Sequence, residues 1–171
     1  MQQHFRMFAA YNAWANRRIY DAAATLPDAD YRADRGAFFG SVHGTLNHIL
    51  VADRVWMRRF TGAGPSPDRL DAVLHDEFGA LRAAREAEDA RISAWVGGLT
   101  DADLAGTFRY MPITRPREIV QPLGPALAHF FNHQTHHRGQ VHALLTAIGG
   151  GEAGPVLDLV AFQRESGAGM G

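Results

Sequence analysis

The chain has 171 residues, 46% hydrophobic and 20% charged, so it is long enough to bury one sizeable core and too apolar for a disordered protein. Its net charge is −1, with 17 basic and 18 acidic residues, which argues against a nucleic-acid binder. It contains no cysteine, which excludes disulfides, thiolate metal ligands and a cysteine nucleophile.

The sequence contains neither an apolar signal segment near its start nor a run of about 18 apolar residues, so we expect a cytoplasmic protein that does not bind membranes. Two arginine pairs, Arg17–Arg18 and Arg58–Arg59, stand out locally. We interpret each pair as part of a solvated helix face.

The first helix is predicted from about Gln2 to Leu26, because its apolar residues recur at spacings of three, four and seven until Pro27. Asn12 occupies one position of that apolar stripe. Its amide either contacts a substrate or satisfies a polar group on a neighbouring helix.

The second helix is predicted from Ser41, a suitable N-cap, to Phe60, and a Gly/Pro-rich connector follows over 61–67. Asp53 lies in the middle of its apolar stripe. A buried carboxylate is costly without partners. Asp53 is therefore expected either to orient a nearby imidazole or to form a cap or a hydrogen bond between helices.

The third helix is predicted from about Asp68 to Val96, with Leu70 and Leu74 at the start of its apolar stripe. Arg85 interrupts this stripe, and Glu88 follows three residues later. At that helical spacing the two side chains are expected to pair with each other.

An irregular stretch over 100–121 follows, in which Phe108 and Tyr110 alternate with polar residues as in a short strand. Connections of this length are often functional, for example as lids. Tyr110 is therefore a candidate to cover a site.

The fourth helix is predicted over 123–148 and a short amphipathic helix over 156–162. We expect residues 1–165 to form a single domain and 166–171 to form a flexible tail.

Four of the twelve residues from His129 to Gln140 are histidines. His133 and His137 are four apart, so a helix places both on one face, where two imidazoles can reach one metal ion. They can equally be core histidines bonded to carbonyls. His48, in the middle of the second helix, is the leading third ligand, although it also suits a boundary position.

The choice between His136 and His137 depends on the helical stripe, which favours His137. His136, His129 and Gln140 then lie on a flank, where they either support the ligands or have no role. The metalloprotease pattern H-E-x-x-H is excluded, because Gln134 stands where the glutamate base is needed.

Three segments together resemble the DinB/YfiT-like metalloenzyme family: YNAWANRR from Tyr11, LNHILVADRVW from Leu46 and HQTHHRGQ from His133. The ending PVLDLVAFQRE from Pro155 is also similar. The resemblance implies an all-α four-helix bundle with a long crossover between helices 2 and 3 and a short C-terminal helix.

The resemblance further implies that His48, His133 and His137 bind one metal at one end of the bundle, and that the protein is a homodimer. Some relatives are transferases or isomerases that use a low-molecular-weight thiol such as bacillithiol or mycothiol. Three imidazoles suit zinc or nickel first, with iron, copper or manganese as further candidates.

Three ligands leave a coordination position open for water or substrate, which favours a metal-dependent enzyme acting on a small molecule. Because the chain has no cysteine, any thiol must come from solution. A thiol-dependent S-transferase, a hydrolase and a non-catalytic metal- or ligand-binding stress-response protein stay open, as does a bundle without metal.

Overall fold

The computed structural model describes residues 1–112 and 117–168, which form seven helices, one two-stranded hairpin and a 3-10 turn at Gly151–Ala153. In chain order the elements are α1 (Gln2–Ala23), α2 (Asp28–Arg32), α3 (Val42–Thr61), α4 (Phe78–Gly98), α5 (Asp101–Ala105), β1 (Thr107–Tyr110), β2 (Ile119–Pro122), α6 (Leu123–Gly149) and α7 (Leu159–Ser166).

The four long helices form the predicted bundle. Helices α1 and α3 each pack against both α4 and α6, so they stand at opposite corners. Asp53 pairs with Arg85, and Phe60 stacks on Trp95 with ring centroids 5.0 Å apart, so α3 and α4 run parallel. Parallel neighbours need a connection that returns along the bundle, and residues 62–77 form the predicted crossover between them.

The order of contacts also fixes the direction of the other helices. Arg82 pairs with Asp21 near one end of α4, and Arg6 donates to the Gly97 carbonyl at the other, so α1 and α4 are antiparallel. Helix α6 runs antiparallel to α3 and parallel to α1. Its Phe131 ring stacks on Phe5, with the ring centroids 6.3 Å apart.

The prediction that the third helix begins near Asp68 is wrong, because α4 begins ten residues later, at Phe78. Backbone groups of the preceding crossover form hydrogen bonds with side chains of α3. Asn47 Oδ1 accepts from the amides of Leu74 and His75, at 2.9 and 3.1 Å, and His48 contacts the Leu70 carbonyl. These side-chain bonds replace the intrahelical bonds that the apolar spacing suggested.

The stretch after α4 contains more structure than its sequence suggested. The predicted strand around Phe108 and Tyr110 is β1, and it pairs antiparallel with β2, which the sequence analysis did not identify. The short helix α5 begins with a capping box in which Thr100 and Asp103 bond reciprocally. Residues 113–116 of this connection lie outside the described residues.

The ends of the helices differ by a few residues from the predicted ones. Helix α1 ends at Ala23 rather than near Leu26, and the C-terminal helix α7 occupies Leu159–Ser166 rather than 156–162. Of the predicted flexible tail, 169–171 lie outside the described residues. Ser166 is the last residue of α7, and Gly167 closes it with a φ of 71°.

A buried polar layer separates the two larger of the three apolar clusters of the core. Along α6, Phe130 belongs to one cluster and Val141 to the other, and Gln134 and Arg138 lie between them. The other long helices show the same order. The buried polar residues of this layer are Asn12, Asn16, Asp53, Arg85, Asp89, Gln134 and Arg138.

Asp53 and Arg85 form the centre of this layer. Arg85 donates to Asp53 Oδ2 at 2.5 Å, its other terminal nitrogen lies 3.0 Å from Asp89, and Gln134 donates to Asp53 Oδ1 at 2.8 Å. The expected pairing of Arg85 with Glu88 is wrong. Glu88 instead accepts a hydrogen bond from Arg91. Arg85 points inward to Asp53 on α3, a partner that spacing within one helix could not reveal.

Asn12 also belongs to the polar layer. Its amide nitrogen donates to Asp89 at 3.0 Å, and its oxygen accepts from Arg138. Asn12 therefore satisfies polar groups on neighbouring helices, the second of the two roles considered for it.

Among the described residues, no helix combines the length and apolar character that crossing a bilayer requires.

Replacing Arg85 with methionine is expected to lower the free energy of unfolding by about 3–5 kcal/mol, because Asp53 and Asp89 then stay buried without a cation. Urea denaturation of Arg85→Met, Asp53→Asn and the double variant measures this. Arg82→Met, which removes only exposed ion pairs, is the control and should change stability by about 1 kcal/mol or less. Additive losses in the double variant would show that Arg85 and Asp53 do not stabilise each other.

Candidate metal centre

Three imidazoles from α3 and α6 converge on one point. His48 Nε2 is 3.2 Å from His137 Nε2, which is 3.1 Å from His133 Nε2, and one nitrogen of each ring lies within 4.8 Å of the others. Two nitrogens bound to one tetrahedral ion at about 2.0–2.1 Å stand roughly 3.3 Å apart. The structure therefore brings together all three predicted ligands at a spacing that can hold one ion.

The two α6 histidines of the cluster differ in burial. The interior positions belong to the polar layer and to Phe130 and Val141, whereas His133 is only partly buried. His137, which the helical stripe favours, is buried, and His133 lies at the edge of the interior face. Because Gln134 bonds Asp53 across the core, the adjacent His133 is turned toward the seam between α6 and α3.

The second ring nitrogen of two histidines contacts an oxygen. His48 Nδ1 lies 2.7 Å from the Leu70 carbonyl oxygen, and His137 Nδ1 lies 2.7 Å from Gln140 Oε1. Both oxygens only accept, so each Nδ1 carries the hydrogen and each neutral ring keeps its lone pair on Nε2. Lone pairs that face each other at 3.2 Å repel unless a cation lies between them.

Burial makes a proton a poor choice for that cation. Burial lowers the pKa of His48 to about 4. The hydrogen bond to Leu70 acts in the opposite direction, and the charge of His137 lowers the pKa further. Burial, followed by the charges of the neighbouring imidazoles, lowers the pKa of His133 to about 3. At neutral pH these rings are uncharged, which is the form that binds a metal ion.

Two cavities border the cluster on different sides. A broad one of about 590 Å³ touches His48 and His137, and the aromatic rings of Phe38 and Phe39 form part of its wall. Phe39 stacks on the His48 ring with centroids 3.7 Å apart, and Phe38 is 85% exposed. A large apolar group can therefore approach the histidines from this side.

The second cavity is narrow, about 210 Å³, and touches His48 and His133. Trp56, Arg59 and His129 form its polar and aromatic wall. The interpretation of Arg59 as part of a solvated helix face is wrong. Its guanidinium lies against the Trp56 and Tyr110 rings, because β1 covers this part of α3.

The remaining candidates on α6 have smaller contacts with the cluster. The exposed His136 has its Nε2 atom 3.3 Å from Gln140 Nε2, so the structure places His137 and not His136 among the converging nitrogens. His129 packs against Trp56, with ring centroids 5.1 Å apart. Of the flank residues, Gln140 is the one that bonds a member of the cluster.

Asp53 and Tyr110 do not contact the histidines. Asp53 bonds Arg85 and Gln134, so it has the interhelical role considered for it. The Tyr110 hydroxyl donates to Gln121 within the hairpin, and its ring reaches the centre through Trp56 and Arg59. Tyr110, the candidate lid, therefore contacts the histidine cluster only indirectly.

A larger cavity lies on another side of α6, away from the histidine cluster. It measures about 850 Å³ and is bounded by α1, α6 and the segment 154–159, with Phe5, Phe8 and Phe131 on its wall. None of the three converging histidines borders it. The chemistry of the cluster therefore belongs to the two smaller cavities.

The sequence did not reveal one of the two oxygens that orient the ligands, whereas it indicated Gln140 as a possible support. Leu70 contributes a backbone carbonyl, which no side-chain pattern reveals. Gln140 does carry a signal, because it follows His137 by three residues and a helix places the two side chains together.

Without metal, stability is expected to fall as the pH drops from about 6.5 to about 4. The folded pKa values of His48 and His133 lie below the unfolded value of about 6.5, so the unfolded chain binds more protons in this window. Urea denaturation of chelator-treated protein at several pH values measures the slope. His133→Gln should flatten it and His136→Gln should not, and equal slopes in both variants would contradict the prediction.

Comparison with known proteins agrees with the resemblance seen in the motifs. The chain is similar to Protein DinB of Bacillus subtilis (strain 168), 26% identical over 154 residues that cover 81% of this chain and 83% of the relative. No solved structure matches it. The model of the DinB family matches residues 1–166, and the chain therefore belongs to the DinB family.

Proposed function

We propose that the protein binds one divalent metal ion through His48, His133 and His137 and uses it as an enzyme acting on a small molecule. The observation that carries this proposal is the convergence of three imidazole Nε2 atoms. Membership of the DinB family supports it. Zinc and nickel are the first candidates, because imidazole suits both.

The number of ligands favours a catalytic ion over a structural one. Within residues 1–112 and 117–168, no carboxylate joins the three imidazoles, and the chain has no cysteine to do so. Structural zinc is closed by four protein ligands, whereas catalytic zinc keeps one position for water or substrate. Two cavities border the cluster, so such a position is accessible to a ligand.

The reaction we propose is transfer of a low-molecular-weight thiol to an electrophile. A thiol R–SH and an electrophile R′–X give R–S–R′ and HX, so one sulfur–carbon bond forms, one carbon–X bond breaks, and the thiol proton leaves with X. The ion supplies stabilisation of the thiolate at neutral pH. The absence of cysteine from the chain and the thiol-dependent relatives that the motifs resemble support an external thiol.

The residues around the cluster have separate roles in this proposal. Leu70 and Gln140 accept the Nδ1 hydrogens and hold two imidazoles in the tautomer that presents Nε2. Phe39 covers the face of His48 and excludes water from it. The aromatic wall of the broad cavity suits an apolar electrophile, because aromatic rings contribute large contact area.

Elemental analysis of the purified protein tests the metal. We expect about one ion per chain in the wild type, and little in His48→Ala, His133→Ala and His137→Ala, because two imidazoles bind far more weakly than three. His136→Ala is the matched control on the same helix and should keep its metal. Metal retained in all three ligand variants would contradict the assignment.

A cobalt-substituted sample tests the thiol. Titration with a low-molecular-weight thiol is expected to produce a new sulfur-to-cobalt charge-transfer band, because thiolate is a strong ligand for such ions. A protein of the same cobalt content with no band for any common thiol would contradict the transferase proposal. It would leave hydrolysis or non-catalytic metal binding.

A further inference from the structure

Arg59 is a half-buried arginine whose position is fixed by two aromatic rings. Its central guanidinium carbon lies 4.6 Å from the Trp56 ring centroid and 4.7 Å from the Tyr110 centroid. Trp56 precedes it by three residues on α3, and Tyr110 comes from β1. Contacts from two elements therefore hold the cation in one place without using its N–H groups.

The guanidinium has no counter-ion in the described part of the chain. Over residues 1–112 and 117–168, Arg59 forms no ion pair and donates no hydrogen bond, whereas its neighbour Arg58 donates to the Gly64 carbonyl. Arg54, one turn earlier, lies 3.7 Å from Glu88. Burial lowers the pKa of Arg59, with Tyr110 acting in the opposite direction, but an arginine stays charged at any physiological pH.

The narrow cavity beside the cluster is lined by one cation, Arg59, together with imidazole, aromatic and apolar groups. Arg59 and His129 share its wall with His48 and His133, and no carboxylate of the described residues borders it. A cavity of this charge attracts an anion, since no residue that the structure describes in its wall neutralises the guanidinium. Arg59 also borders a neighbouring cavity of about 220 Å³ toward the hairpin, which Arg58 lines but no histidine does.

The volume limits what the narrow cavity can hold. Its 210 Å³ corresponds to about seven waters at roughly 30 Å³ each. A ligand portion of about six non-hydrogen atoms fits, with one end at Arg59 and the other at the histidines. An N–H fork of this kind matches a carboxylate, which it can bind through two parallel bonds.

We propose that Arg59 binds the carboxylate of a small thiol whose sulfur end lies at the three histidines. This inference rests on the thiol chemistry proposed above and assigns the two cavities: the narrow one holds the acidic thiol, and the broad aromatic one holds the electrophile. Arg59 is then the residue that determines specificity for an acidic thiol over a neutral one.

The test compares two thiols of the same length on the cobalt-substituted protein, 3-mercaptopropionate and the neutral 3-mercaptopropanamide. The charge-transfer band reports the affinity of each. We expect the wild type to prefer the carboxylate by on the order of tenfold or more, since hydrogen bonds to charged groups contribute at this level. In Arg59→Met, whose side chain still packs on Trp56 and Tyr110, the preference should disappear.

Arg58→Met is the matched control, because Arg58 lines only the cavity toward the hairpin. It should keep the preference of the wild type. Equal affinity of the wild type for both thiols, or a preference that survives in Arg59→Met, would overturn the inference. Either result leaves the thiol proposal standing, because both thiols still produce the band.

If neither thiol produces a band, the thiol proposal fails separately. Calorimetric titration of the metal-loaded protein with propionate then decides the role of Arg59. Binding that is present in the wild type and in Arg58→Met but lost in Arg59→Met supports a carboxylate site. Binding that is absent, or unchanged in Arg59→Met, overturns it.

Discussion

The ion pair between Asp53 and Arg85 is the interaction on which the arrangement of this bundle depends. Both groups are buried, and an unpaired charge at that depth costs several kcal/mol. Helices α3 and α4 must therefore pack in the register that joins them, and Gln134 fixes α6 to the same carboxylate. His133 directly precedes Gln134, so this bond also sets the orientation of His133. The polar layer therefore helps to determine where the candidate metal ligands of α6 face.

Local patterns predicted the elements of this protein better than their partners. The four long helices, the strand at Phe108 and the shared face of His133 and His137 could be read from spacing, since helical and extended periodicities differ. The complete set of ligands with His48 was implied by the resemblance to the family. The residues 68–77, the partner of Arg85 and the environment of Arg59 could not be read from spacing. Each depends on contacts between segments far apart in sequence, and in each the local periodicity is compatible with a different structure.

The candidate centre combines helices that supply ligands with connections that surround them. The imidazoles come from α3 and α6, whereas Phe39 and Leu70 come from the segments before and after α3. The return connection exists because α3 and α4 are parallel, and it brings the Leu70 carbonyl to His48. The topology of the bundle thus supplies a hydrogen-bond acceptor to the site.

The metal identity, the homodimer and the cytoplasmic location stay predictions.

The separation of the ligands along the chain has a consequence for folding. His48 and His137 are 89 residues apart, so an ion held by both would close a loop that spans about half of the protein. Closing such a loop costs chain entropy, which the folded bundle has already lost. The ion would then act as a reversible crosslink that ties the first half of the chain to the second. Its loss would first loosen the seam between α3 and α6, while the ion-paired interior still holds the four helices together.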